Sequence, residues 1–329
     1  MLIKNKTINK QKWLNLLEKS DYSSPFQTLK FHTFFNSIEG FSADVIAIEE
    51  DDEYKALVVV TIQKEKGIKG VFSKRGIIYG GPLLIETKAE YLNQFFSGIQ
   101  NYYKKKLIYI ETRNYFDYSI YKDRFLESNF KYTPWLNFHL DSSDFVAMKK
   151  TMSSSRLRQV KKAIKNGATW KEAESLEDVK SFYQILSNLY TSKIKKPLFD
   201  IAFFIKLYED NLAKYLLVYH EGKVIGGIVC LILPDKAIYE FYVCGLDYEN
   251  RNQYPSVMAT WGAMEYATQH SIPLFDFMGA GSPDEAYGVR EFKSRFGGQQ
   301  VEHGRFINIL NPFLYKLGLI GLNILSKMK

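Results

Sequence analysis

The sequence predicts an α+β (α/β) chain of two related domains, and three observations lead there. Its 329 residues are more than one hydrophobic core comfortably organises, and they suit two. Hairpin strands, a helix and a short strand follow one another twice along the chain. Between the two runs lie two further helices that would open the second half.

In the first run, "DVIAIEEDDEYKALVVVTIQKE" (44–65) reads as a hairpin turning at "EEDDE", and "GVFSKRGIIYGGPLL" (70–84) as a strand closed by Gly80, Gly81 and Pro82. A helix over about 88–105 follows, because Tyr91, Leu92, Phe95, Phe96, Ile99, Tyr102 and Tyr103 recur at three-to-four spacing. The apolar "KLIYIETRN" is the short strand after it. In the second run, "KYLLVYHEGKVIGGIVCLILPDKAIYEFYVCGL" supplies successive strands turning at "HEGK" and "PDK". A helix from Ser256, a predicted N-cap, to about 269 and the strand "PLFDFMG" complete it.

The intervening helices carry their own start signals. "SSSRLRQVKKAIKNG" is capped by Ser153–Ser155 and stopped by Gly167. "SLEDVKSFYQILSNLYTSK" opens on a capping-box pattern from Ser175 to Asp178 and should bury Val179, Phe182, Leu186 and Leu189. The closing "NPFLYKLGLIGLNILSKMK" has apolar residues nearly all round, so it either packs on the body or lies on a membrane surface. Gly318 and Gly321 interrupt it, and it is too short to span a bilayer.

Composition narrows the function classes. The N-terminus has no continuous apolar core of signal-peptide length, and no segment approaches the roughly 20 apolar residues of a spanning helix, so a cytoplasmic location is expected. The cysteines, Cys230 and Cys244, sit in strand-like apolar runs and read as buried thiols. The five histidines show no metal-ligand spacing, and neither a metal nor a bound cofactor is expected. Net charge is +8 and unevenly placed: no acid lies between Asp144 and Glu172, while Lys149, Lys150, Arg156, Arg158, Lys161, Lys162 and Lys165 do. That segment is either a solvated basic face or a seat for an anion.

The segment richest in chemistry is "DFMGAGSPDEAYGVREFKSRFGG" (276–298). Two helical turns in "GVREFKSRF" would stack Val289, Phe292 and Phe296 on one face and set Arg290 and Lys293 together on the next. The phenylalanines would anchor the element while the two cations face a cleft; loss of Lys293 should then harm activity more than the fold. Upstream, Ser282–Glu285 reads as a helix start with Pro283 at the first position. Asp276 reads as a structural acceptor at a strand end.

This segment, with "YEFYVCGLDYENRNQYPSVMATWGAMEYA" before it, resembles the C-terminal domain of the FemA/FemB/FemX family of peptidoglycan bridge-forming aminoacyltransferases. "SSSRLRQVKKAIKNG" and "PFQTLKFHTFF" are similar as well, so the resemblance covers most of the chain. It implies two tandem acetyltransferase-like (GNAT-like) domains, here 1–147 and 148–309, with the helix 310–329 returning to the first. It further implies transfer of an amino acid from aminoacyl-tRNA to an amine of a nucleotide- or lipid-linked cell-wall precursor; the closing helix separately leaves open peripheral contact with the inner membrane surface. Carried over by position, Lys293 matches the lysine of the family's FK motif, expected to contact the substrate phosphates or the reacting carbonyl, with Phe292 supporting it. Tyr242 falls near a precursor-binding tyrosine, and Lys30 and Lys196 fall near phosphate-binding positions. Arg290, Arg156 and Arg158 join them as candidate contacts to substrate phosphates. A paired-helix arm of the FemA type has no counterpart in the sequence, which is closer to the armless FemX type.

Acyl-CoA enzymes of this fold need a glycine-rich R/Q-x-x-G-x-G/A turn before a helix, whose successive N–H groups hold a pyrophosphate. Here the register is Arg251-Asn252-Gln253-Tyr254-Pro255-Ser256, where Tyr254 replaces the first glycine and Pro255 removes a donor. That favours aminoacyl-tRNA as donor. Two other readings stay open: an acyl-CoA-dependent N-acyltransferase acting on an amino sugar of an envelope polysaccharide, and a non-catalytic basic RNA- or membrane-associated module.

Overall fold

A computed structural model describes residues 1–65, 70 and 73–327. Residues 66–69 lie outside the described residues, as do 71–72, within the segment 70–84 read as a strand, and 328–329. Two compact units form: 1–135 with 302–329, and 136–301. The divisions fall at 135/136 and 301/302, earlier than the expected 147/148 and 309/310, because the strand that follows each crossing pairs within the unit it enters. Strand β8 (Leu136–Asp141) pairs with a strand of the second unit, Asp141 opposite Leu274 and His139 opposite Asp276. Strand β15 (Arg305–Ile309) returns to the first unit.

The first unit runs β1 (Leu2–Lys4), α1 (Lys10–Lys19), α2 (Leu29–Ser37), the hairpin β2 (Phe41–Glu50) and β3 (Glu53–Gln63), β4 (Arg75–Gly80), β5 (Leu83–Leu84), α3 (Ala89–Tyr103), β6 (Tyr109–Asn114), α4 (Lys122–Glu127) and β7 (Lys131–Thr133). Its sheet has the order β1-β2-β3-β4-β6-β15-β7, with β5 also on β3. Alternation along β2 and β3 sends Ile46, Ile48, Val58 and Val60 into one core with Phe95, Phe96 and Ile99 of α3. The closing helix α11 (Pro312–Lys327) starts beside β6, where the amides of Leu310 and Asn311 both donate to Ile108 O at 2.9 Å.

One side chain repairs this sheet. Strand β3 pairs with β4 at Thr61–Gln63 and with β5 at Ala56–Leu57, and between them the chain bends at Gly80 and Gly81, both at positive φ. Gln27, fully buried, fills the gap: its Oε1 accepts from Val59 N (2.8 Å) and its Nε2 donates to Tyr79 O (2.9 Å). The Tyr118 hydroxyl donates to Gly80 O and Pro82 O across the bend.

The second unit adds α5 (Phe145–Thr151), α6 (Ser154–Lys165), β9 (Thr169–Glu172), α7 (Leu176–Leu189), α8 (Ile201–Glu209), β10 (Ala213–His220), β11 (Lys223–Leu233), β12 (Ala237–Gly245), α9 (Pro255–Gln269), β13 (Leu274–Asp276), α10 (Gly288–Ser294) and β14 (Gln299–Glu302). Its sheet has the order β14-β8-β13-β12-β11-β10-β9. Helix α6 is capped by Ser153 and α7 by a full Ser175/Asp178 box, as the sequence predicts. Ile185, rather than Leu189, completes the buried stripe of α7, since Leu189 is only half-buried where the helix runs into a wider turn at 190–194.

Replacing Gln27 with Leu strands the Val59 N–H and the Tyr79 carbonyl in a dry core. The expected loss is about 1–3 kcal/mol of unfolding free energy. It should be read as a lower denaturant midpoint at unchanged slope.

Candidate functional site

The second unit's sheet opens at one place. Strands β12 and β13 run parallel only over Ala237–Tyr239 and Leu274–Asp276. Beyond that β13 ends, while β12 continues to Gly245. The chain leaving β13 turns away through Met278, Gly279 and Gly281, all at positive φ, and is held by β8: Phe277 N donates to Phe138 O and Ala280 N to Leu136 O. Asn137 locks the departure, its Nδ2 on Asp276 Oδ1 (2.7 Å) and its Oδ1 accepting from Gly279 N (2.7 Å). Asp276, buried and bound by Asn137, His139 and the Met278 amide, is a structural acceptor.

Into the fork reaches Lys293 of α10, only 6% exposed. Its Nζ donates to Phe277 O and to Gly279 O (3.0 Å) and lies 3.1 Å from Glu240 Oε1. Glu240, 3% exposed, is the first β12 residue past the end of the parallel pairing. Thr260 of α9 donates to its Oε2 at 3.3 Å. Burial pushes the Glu240 carboxyl above the usual carboxylate range, while Lys293 and Thr260 pull it back. Lys293 is thus neither a surface lysine nor one facing an open cleft: ion-paired inside the fold, it cannot be removed without leaving a buried carboxylate behind. The expectation that its loss would spare the fold is corrected accordingly.

A bulge in β12 sorts the neighbours. Val229 faces Tyr242 and Cys230 faces Glu240, so Phe241 is the extra residue. Glu240 thereby turns toward α9, and Tyr242 packs among the rings of Tyr190, Phe199, Phe204 and Phe241 beside α7 and α8. Burial raises the Tyr190 hydroxyl to about 12.

The remaining candidates divide between supports and surface. Arg290 clamps the loop, donating from Nε to Ala280 O (2.9 Å) and from its other end to Ser282 O. Arg156, buried, donates to Phe292 O (3.0 Å) and lies over the rings of Phe292 and Phe296 at 4.6 and 4.4 Å. Burial lowers its guanidinium to about 10. Arg156 therefore ties the basic helix α6 to α10, and Arg158 of the same helix is exposed. Lys196 is exposed between α7 and α8, and Lys30 is exposed on α2 of the first unit. Phe296 is buried, Phe292 half-buried, and Val289 is 40% exposed, so the predicted anchor face is carried by the phenylalanines and Lys293. Ser282–Glu285 forms a turn, with Glu285 N on Ser282 O, and the helix starts only at Gly288.

A second feature sits at the start of α9. The N-cap is Tyr254, in the left-handed region at φ 46°, with Pro255 first in the helix; the cap lies two residues ahead of the predicted one at Ser256. Asp247, which sequence reasoning passed over, receives Ser256 N (3.1 Å) and Ser256 Oγ (2.5 Å). The position where a helix N-terminus would hold an anion is filled by the chain's own carboxylate. The end of β12 crowds the same spot: a Cβ on Gly245 would come within 2.6 Å of Ser256 N and 2.8 Å of Pro255 Cβ.

A family model described as the FemAB family matches residues 206–320, from α8 into α11. Among solved structures, FemX superposes with a TM-score of 0.74 at 17% identity, over 96% of this chain and 99% of that one. L-PGS from Bacillus licheniformis gives 0.58 at 11%, over 97% of each chain. A tandem GNAT protein from the clavulanic acid biosynthesis pathway gives 0.59 at 8%, over 95% of this chain and 99% of that one. No curated protein matches. The structural likenesses show the tandem GNAT-like fold, and the FemAB family model matches the stretch that carries the Lys293 fork.

Proposed function

We propose that the protein is an acyltransferase that moves an amino acid from aminoacyl-tRNA to an amine of a cell-wall precursor. The FemAB match supports the class of reaction. The observation that carries the choice of donor is the start of α9, where Pro255 lacks an amide hydrogen and Asp247 occupies the Ser256 amide and hydroxyl. A pyrophosphate would have to displace that carboxylate and meet Tyr254, whereas an aminoacyl ester of tRNA needs no such seat. Its phosphates suit the exposed Arg158, Lys161, Lys162 and Lys165 of α6.

The amine of the acceptor attacks the ester carbonyl, and an oxyanion forms. On collapse the C–O bond to the ribose breaks, and the proton lost by the attacking nitrogen goes to the departing ribose oxygen. The ester is already activated, so orientation and charge carry most of the acceleration. Lys293 serves as a positioning residue: it fixes the Phe277 and Gly279 carbonyls that shape the loop and keeps a positive charge at the head of the fork. Phe292 and Arg156 hold α10 in register, Arg290 holds the loop, and Tyr242 with its ring neighbours forms the wall for the acceptor. Lys30 and Lys196 remain candidate phosphate contacts.

The direct test incubates the protein with radiolabelled aminoacyl-tRNAs and nucleotide- or lipid-linked precursors. Label should move to the precursor; tight binding of CoA in a calorimetric titration, together with transfer from acyl-CoA, would overturn the choice of donor.

The ion pair gives a cycle that separates fold from chemistry. Lys293→Met alone should cost about 3–5 kcal/mol of stability, and pairing it with Glu240→Leu should recover most of that loss. The recovered double variant should still transfer about 100-fold more slowly. Wild-type transfer by a double variant of wild-type Tm would sink the role given to the charge.

A further inference from the structure

Helix α11 presents an apolar stripe that nothing in the first unit covers. Phe313, Leu317 and Ile320, at the i, i+4, i+7 spacing of one helix face, are 71%, 40% and 55% exposed, and Lys316 stands among them, exposed as well. The opposite side, Leu314, Tyr315 and Gly318, is the half-buried one. The helix root is firmly held: Leu310 packs against the core, Asn311 caps the first turn through Leu314 N (3.0 Å), and the Tyr315 ring meets that of Tyr109 edge-on at 5.5 Å. The stripe is therefore displayed by a fixed helix rather than left over at a fraying end.

Charge decides what it meets. No Asp or Glu occurs from His303 to Lys329, nor from Tyr91 to Ile110. The second stretch ends α3 in the exposed Lys104, Lys105 and Lys106, and Lys106 is two residues from Ile108, whose carbonyl anchors α11. An exposed apolar stripe that carries a lysine, on a segment without carboxylates and rooted two residues from a lysine cluster, is the pattern of a helix lying in the interface of an anionic bilayer. At 16 residues α11 is about 24 Å long, short of the roughly 30 Å hydrocarbon core. No described helix is long and apolar enough to cross a membrane.

We propose that the α11 stripe Phe313–Leu317–Ile320, with Lys316 among it and the Lys104–Lys106 cluster near the helix root, docks the protein on the surface of an anionic lipid bilayer. The proposal stands apart from the transfer reaction, because docking is measured without substrate. The experiment floats the full chain with vesicles of phosphatidylcholine and with vesicles of phosphatidylcholine mixed with phosphatidylglycerol. Wild type should rise with the anionic vesicles, and less so as salt is added. A Phe313→Ser/Leu317→Ser/Ile320→Ser variant should lose about tenfold or more of the bound fraction at unchanged Tm, since these side chains support no core. Lys104→Glu/Lys105→Glu should lower binding to anionic vesicles and weaken its salt dependence. Failure of wild type to float with anionic vesicles overturns the proposal, as does a triple variant that floats like wild type. A wild-type dimer in light scattering that the triple variant converts to monomer, with vesicles binding neither, overturns it in favour of contact between copies of the chain.

Discussion

A lysine ammonium and a glutamate carboxylate, both taken out of water where two parallel strands part, hold the second unit's most distinctive region together. Where β13 stops, β12 has no neighbour on that side, and the carbonyls of Phe277 and Gly279 point into the gap. Lys293 answers all three demands at once, serving two carbonyls and the carboxylate of Glu240. Because Lys293 rides on α10, the pair fixes that short helix. Through Phe292, Phe296 and Arg156 it fixes the start of α6 as well. A seven-residue helix has little stability of its own. Its position is a property of the ion pair and the rings beneath it.

Much of this was legible in the residues, and the exceptions have physical causes. Period-two and three-to-four patterns located the hairpins, α3 and α7, and cap chemistry located α6 and α7 to within a residue. Tandem organisation was legible too, but its boundaries were not: whether a strand such as β8 or β15 pairs within its own half depends on partners more than a hundred residues away. Lys293 stood out through its "FKSRF" context, yet its environment did not, because the partner is a lone acid in the apolar strand "YEFYV". An acid at such a position is a signal that a buried cation must be near. Asp247 escaped for a related reason. Its role follows from the distance between a strand end and a helix start, and spacing alone does not disclose that.

The basic segment illustrates how one composition serves two ends. Arg156, sunk against aromatic rings where burial lowers its guanidinium, is an internal brace. Arg158, Lys161, Lys162 and Lys165, on the same helix, stay in water and keep their full electrostatic reach. Charge counted along a sequence cannot separate these uses, whereas one turn of a helix can.

The discontinuity of the first unit bears on how the chain is made. Strand β15 lies between β6 and β7 in the finished sheet, so the first unit lacks an interior strand until residue 309 has been synthesised. At 5–20 residues per second, the 176 residues from 134 to 309 take roughly 10–35 s, during which β6 keeps an unpaired edge. The second unit, whose strands all lie within 136–302, can close in that interval. Biosynthesis therefore runs against the order of the sequence: the half that is begun first is completed last.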